Sequence, residues 1–174
     1  MKKDNWLYKV FLLTFFLAAI FSAVTSYMSE SFNNIVLLII LLVVIFIGIL
    51  FDMIGVSVLT SKESTFHAMA SRKIKGSREA LYLVKNSTTL SSVFCDVIGD
   101  ICGIVSGGLG TVLTINMCNM FELGLGLTTI IVTAVISSLT VGFKAIAKRI
   151  ADKNCDNIVF TAAKIMYIIG IRAK

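Results

Sequence analysis

The run IVLLIILLVVIFIGILF, Ile35–Phe51, decides the fold, because it places seventeen uncharged residues in succession. An α-helix rises about 1.5 Å per residue, so about 20 mostly apolar residues cross about 30 Å of hydrocarbon. The block continues as Ile35–Leu59 with Asp52 as its one charge. Working outward, three more apolar blocks follow the same pattern: Val10–Tyr27, Leu90–Thr114 and Leu123–Phe143. The expectation is an all-α, polytopic membrane protein with four transmembrane helices. The four spans and their links use nearly all of the 174 residues, which leaves a single transmembrane domain over 1–174. Apolar residues make up 57% of the chain, above the roughly 45–50% of a soluble domain.

Charge sets the orientation. Lys2, Lys3 and Lys9 precede the first block. Lys62, Arg72, Lys73, Lys75, Arg78 and Lys85 lie between the second and third. Lys144, Lys148, Arg149, Lys153, Lys164, Arg172 and Lys174 follow the fourth. The alternate connections, Met28–Asn34 and Ile115–Glu122, hold no Lys or Arg. By the positive-inside rule both termini and the middle loop are cytoplasmic, and the chain is integral to the cell's inner or plasma membrane. The first block follows basic residues as a signal peptide would. It lacks a small-x-small cleavage site before Glu30 and is followed by three more spans, so it is read as a retained helix.

The net charge of +6 therefore points to the lipid bilayer as partner and not to nucleic acid. The segment 62–86 mixes basic residues with Phe66, Met69, Ile74, Leu81 and Val84, a pattern for amphipathic helices lying on the inner leaflet. The tail, 144–171, is expected to be interfacial as well. Cys95, Cys102, Cys118 and Cys155 have no metal-type spacing and are expected to pack as small apolar groups. The absence of Pro leaves helix breaks to Gly and polar side chains.

Three carboxylates fall inside predicted spans: Asp52, Asp96 and Asp100. A charge at mid-bilayer costs about 2.5–3.5 kcal/mol on insertion scales, so each is a candidate functional residue. Asp96 and Asp100 are four apart and share a helix face, where two carboxylates attract a hard cation. Protonation and a hydrogen bond to a neighbouring helix explain them equally simply. Asp52 lies nearer the inner interface, where solvation is cheaper. Gly99, Gly103 and Gly107 repeat every four residues, a spacing that lets a second helix approach and leaves carbonyls open to an ion. Thr60, Ser61, Ser137, Ser138 and Thr140 could add neutral oxygens. His67 has no partner cluster, and no Ser-His or Glu-x-x-His arrangement is found. The chain is accordingly not expected to be an enzyme.

From Leu59 to about Met166 the chain resembles the transmembrane domain of the CorC / cyclin M family of magnesium transporters. Thr60-Ser61-Lys62-Glu63-Ser64-Thr65 is similar to that family's Ser-Gly-x-Glu-Thr-Ala segment. A basic amphipathic run, Ser71–Lys85, follows in both. Val97-Ile98-Gly99-Asp100 stands where the family has Ile-Gly-Asn. Leu139-Thr140-Val141-Gly142-Phe143-Lys144-Ala145-Ile146-Ala147-Lys148-Arg149 resembles the family's Gly-Glu-x-x-Pro-Lys-x-x-Ala-x-Arg ending.

The resemblance implies a homodimer that holds Mg²⁺ as transported ion, with coupling to Na⁺ and no cofactor. The implied ligands are Asp100, Thr60 and Thr140, with Asp96 and Gly99 beside them. Asp100 replaces an Asn, Thr140 replaces a Glu, and Phe143 replaces the Pro of Pro-Lys. The family's CBS-pair domain has no counterpart in this sequence. The alternative of another class is a non-transporting membrane scaffold that docks a separate cytoplasmic regulatory protein.

Overall fold

The computed structural model describes residues 4–121 and 124–170, and every element among them is helical. Helix α1 runs Asp4–Ser31 and α2 Asn34–Thr60. Two short helices follow, α3 Glu63–Ser71 and α4 Ser77–Lys85. Next comes a helical run built of α5 Ser87–Ser91, a π-helical segment Ser92–Ile98 and α6 Gly99–Phe121. Helices α7 Leu125–Lys153 and α8 Cys155–Ile169 complete the chain.

Among the described residues three helices are long and apolar enough to cross a membrane: 34–60, 87–120 and 126–153. Exposed apolar side chains line them, among them Phe46, Ile104, Ile130 and Ile131. A bilayer, where lipid tails cover such groups, is the medium that suits these surfaces. The apolar stretch of α1 described at side-chain level, Thr14–Tyr27, is shorter.

By contact the chain divides into two compact units, 1–49 with 97–143, and 50–96 with 144–174. The first has a core of two facing rows. Leu37, Leu41 and Ile45 of α2 recur every four residues, as do Val97, Ile101, Val105, Leu109 and Leu113. Rows at that spacing form the ridges that interdigitate when helices pack. Leu17 of α1 and Ile136 of α7 flank this core. Glycine sets the approach at two points. A Cβ on Gly48 would stand 2.8 Å from Cys102 Cβ, and one on Gly110 2.6 Å from Ile136 Cδ1. Near the helix ends Asn116 Nδ2 donates to Asn34 Oδ1 at 2.8 Å.

In the second unit α3, α4 and α8 close over the end of α2. Phe66, Ala80, Leu83, Val84, Val159 and Ala163 bury with Val58. The chain reverses between α3 and α4 through Lys73, with φ 55°, and Gly76, with φ 89°. Thr65 Oγ1 donates to Asp156 Oδ2 at 3.1 Å, which joins α3 to the start of α8.

The second block matches its expected limits within a residue. The third begins three residues early and contains the π-helical turn. Within 144–171, α7 continues unbroken to Lys153, and a separate α8 follows. No helix-stopping residue stands between Phe143 and Lys153, since Lys, Ala, Ile and Arg are good or tolerable helix formers. The segment 62–86 is the pair α3 and α4 with their turn. Glu122, Lys2, Lys3, Arg172 and Lys174 lie outside the described residues.

Candidate functional site: the carboxylates of the apolar helices

Asp52 is the most buried of the three carboxylates, at 3% exposure. Lys148 of α7 places its Nζ 3.4 Å from Asp52 Oδ2. Asp52 Oδ2 has no hydrogen-bond partner, so the ammonium is what offsets its charge. An unpaired carboxylate in such surroundings would carry a large desolvation cost. Lys148 is half exposed, its stem reaching in from the basic end of α7.

The π-helical segment packs beside this pair. Cys95 Sγ donates to the backbone carbonyl of Asp52 at 3.6 Å. The rings of Phe51 and Phe94 lie 5.7 Å apart between centroids. Gly55 allows both contacts, because a Cβ there would meet Cys95 Sγ at 2.5 Å and Phe94 Cβ at 3.1 Å. A π turn inserts an extra residue and shifts the following side chains around the axis, a device frequent at functional sites.

Asp96 and Asp100 are both exposed, and neither makes a hydrogen bond or ion pair. Asp100 belongs to the first unit with Gly99 and Thr140, whereas Asp96 and Thr60 belong to the second. Gly99 is buried. Thr60 Oγ1 donates back to Val56 O at 3.0 Å, and Thr140 Oγ1 to Ile136 O at 2.8 Å. Both hydroxyls retain lone pairs for a further donor or a cation. Among the described residues no group of three or more His, Cys, Asp or Glu stands where it could hold a metal ion.

The glycine repeat beside Asp100 does not seat a neighbouring helix of the same chain. A Cβ on Gly103 or Gly107 would meet nothing within 4 Å. The approaches under 3.0 Å occur at Gly48, Gly55 and Gly110. Asp100, Gly103, Gly107 and Thr111 instead line an exposed face of α6.

Lys148 is the residue that sequence reasoning missed. The available signal was Asp52 itself. A carboxylate within an apolar block calls for a cation of similar depth, and the basic end of the last span supplies one. The arrangement can hold or exchange a cation at a carboxylate. Compared with known proteins, the chain matches no family model, no curated protein and no solved structure.

Proposed function

We propose that the chain is a four-span integral membrane protein that carries a divalent cation, Mg²⁺, across the bilayer as a homodimer, with Na⁺ as coupling ion. The observation that supports this is the position of Asp100. It is exposed and without a partner on an apolar helix, at the head of the face that continues through Gly103, Gly107 and Thr111. A bare carboxylate against hydrocarbon costs about 2.5–3.5 kcal/mol. A second copy approaching over the glycines would cover it, and a bound cation would neutralise it. Thr140 and the Gly99 carbonyl, which belong to the same unit as Asp100, are the further oxygen donors. Mg²⁺ fills the rest of its near-octahedral shell with water. In this reading α1 is the first span, and the basic termini and the α3–α4 segment face the cytoplasm.

The test is thermal unfolding of the purified full chain in detergent over Mg²⁺, Ca²⁺ and Na⁺ titrations, wild type beside Asp100→Asn. A ligand that binds the folded state raises stability with its concentration. A Mg²⁺ shift that Asp100→Asn removes is the expected result. Absence of a shift with every cation would end the transport reading.

The scaffold reading has its own support in the Asp52–Lys148 pair. The most buried carboxylate of the apolar helices is already matched by a lysine of the same chain, as a structural pair would be. In that case the protein co-purifies with a soluble partner in fixed stoichiometry, and no cation changes its stability.

A further inference from the structure

A cavity of about 420 Å³ opens where the α3–α4 turn meets α8. Lys73, Lys75, Gly76, Arg78, Glu79 and Tyr167 are among the residues that line it. Lys73, Lys75 and Arg78 are exposed, and none pairs with a carboxylate among the described residues. The first turn of α4 opens into the same space. Ser77 N–H donates to Ile74 O at 3.2 Å and Ala80 N–H to Gly76 O at 3.0 Å, so the N–H groups of Arg78 and Glu79 are the ones that precede the regular bonds. Backbone N–H groups at a helix start, together with two ammoniums and a guanidinium, form the donor set that a phosphate takes.

Glu79 is the independent observation. It is 5% exposed, it lines the cavity, and it makes no hydrogen bond or ion pair. Its oxygens are not sealed in the interior but open onto the cavity, the one place from which a donor can reach them. A phosphate alone would make its position worse. A ligand that brings its own donor a few bonds from the phosphate would satisfy both halves of the site.

We propose that this cavity binds a phosphodiester headgroup that carries a hydrogen-bond donor, an ammonium or a hydroxyl. The phosphate sits on Lys73, Lys75, Arg78 and the start of α4, and the donor on Glu79. Ethanolamine and glycerol headgroups qualify. Choline, whose nitrogen has no hydrogen, does not. The site does not depend on cation transport. Its lipid form requires only that α3 and α4 lie at a membrane face. Tyr167, amphipathic and on the cavity wall, suits that depth.

The experiment uses the full chain in detergent and follows thermal unfolding. Dioctanoyl phosphatidylethanolamine, phosphatidylglycerol and phosphatidylcholine are titrated separately, with water-soluble glycerophosphoethanolamine as a fourth probe. The first two are expected to raise stability saturably, with affinity about tenfold above that of the choline lipid. Lys75→Gln with Arg78→Gln should weaken all binding about tenfold. Lys85→Gln with Lys153→Gln, the same charge loss outside the cavity, should leave it unchanged. Glu79→Met should erase the preference for ethanolamine over choline. If that variant does not fold, the wild-type lipid series decides the donor half. An equal shift from the soluble probe would name a free phosphodiester as ligand, and a shift from the lipids alone would name the headgroup. Equal loss in the two double variants, or choline lipid binding as well as ethanolamine lipid, would overturn the proposal.

Discussion

Lys148 Nζ stands 3.4 Å from Asp52 Oδ2, and the two sides of the pair are unequal. Counted on the side chain alone, Asp52 is 4% exposed and Lys148 51%. The ammonium can turn to water when its partner is lost, whereas the carboxylate cannot. The consequences of removing either partner are therefore asymmetric.

Lys148→Met should destabilise by about 3 kcal/mol, at the low end for a broken buried pair because the lysine is partly solvated. Asp52→Asn should cost about 1 kcal/mol, since Lys148 is then free to hydrate. Asp52→Leu with Lys148→Met should recover most of the loss, as apolar replacements of buried pairs do. Unfolding in detergent measures all three. Equal single effects that simply add in the double variant would show that the two residues are not coupled.

Gly55→Ala should destabilise by about 1–3 kcal/mol through overpacking. The new Cβ would lie 2.5 Å from Cys95 Sγ and 3.1 Å from Phe94 Cβ. Cys95→Ala removes the nearer clash and should restore part of the loss in the double variant. The Phe94 contact keeps the rescue incomplete. A double variant no better than Gly55→Ala would place the strain elsewhere.

The legible parts of this fold are those written in single-residue chemistry. Ile35–Leu59 reads as a span because seventeen uncharged residues leave one interpretation, and α2 runs Asn34–Thr60. The unread parts depend on which helices meet. Gly103 and Gly107 have the spacing of a packing motif yet meet nothing, while Gly48, Gly55 and Gly110, in no motif, set the close approaches. The π turn at Ser92–Ile98 has no compositional sign, because its residues would form an ordinary α-helix equally well. Lys148 falls in the basic stretch expected to be interfacial; α7 runs unbroken through it and sets its Nζ 3.4 Å from Asp52 Oδ2, a pairing no local pattern announces.

Gly76→Ala and Gly170→Ala form an internally controlled pair. Both glycines have left-handed backbone, φ 89° and φ 87°. An L side chain there costs about 1–2 kcal/mol. Gly170 meets nothing within 4 Å, so its variant should show that cost alone. At Gly76 the new Cβ would also stand 3.3 Å from Lys164 Cα, which forces α4 away from α8. The Gly76 variant should therefore lose about 1 kcal/mol more, the scale of mild overpacking. Equal losses would mean that α4 and α8 yield without resistance.

Gly103→Leu and Gly107→Leu separate the fold of one chain from the association of two. A Cβ at either position meets nothing within 4 Å and both lie on an exposed face, so the longer side chains extend outward from the folded monomer. Leu is also the better helix former, by about 0.8–1.0 kcal/mol over Gly. Monomer unfolding should thus be unchanged or shifted slightly upward. If a second copy packs over this face, the two leucines hold the backbones apart, and small-residue packing is lost. Light scattering in detergent should then show monomer where the wild type shows dimer, and the Mg²⁺-dependent stabilisation should fall with it. A dimer that survives both substitutions would move the association surface off this face of α6, and Asp100 would need another explanation.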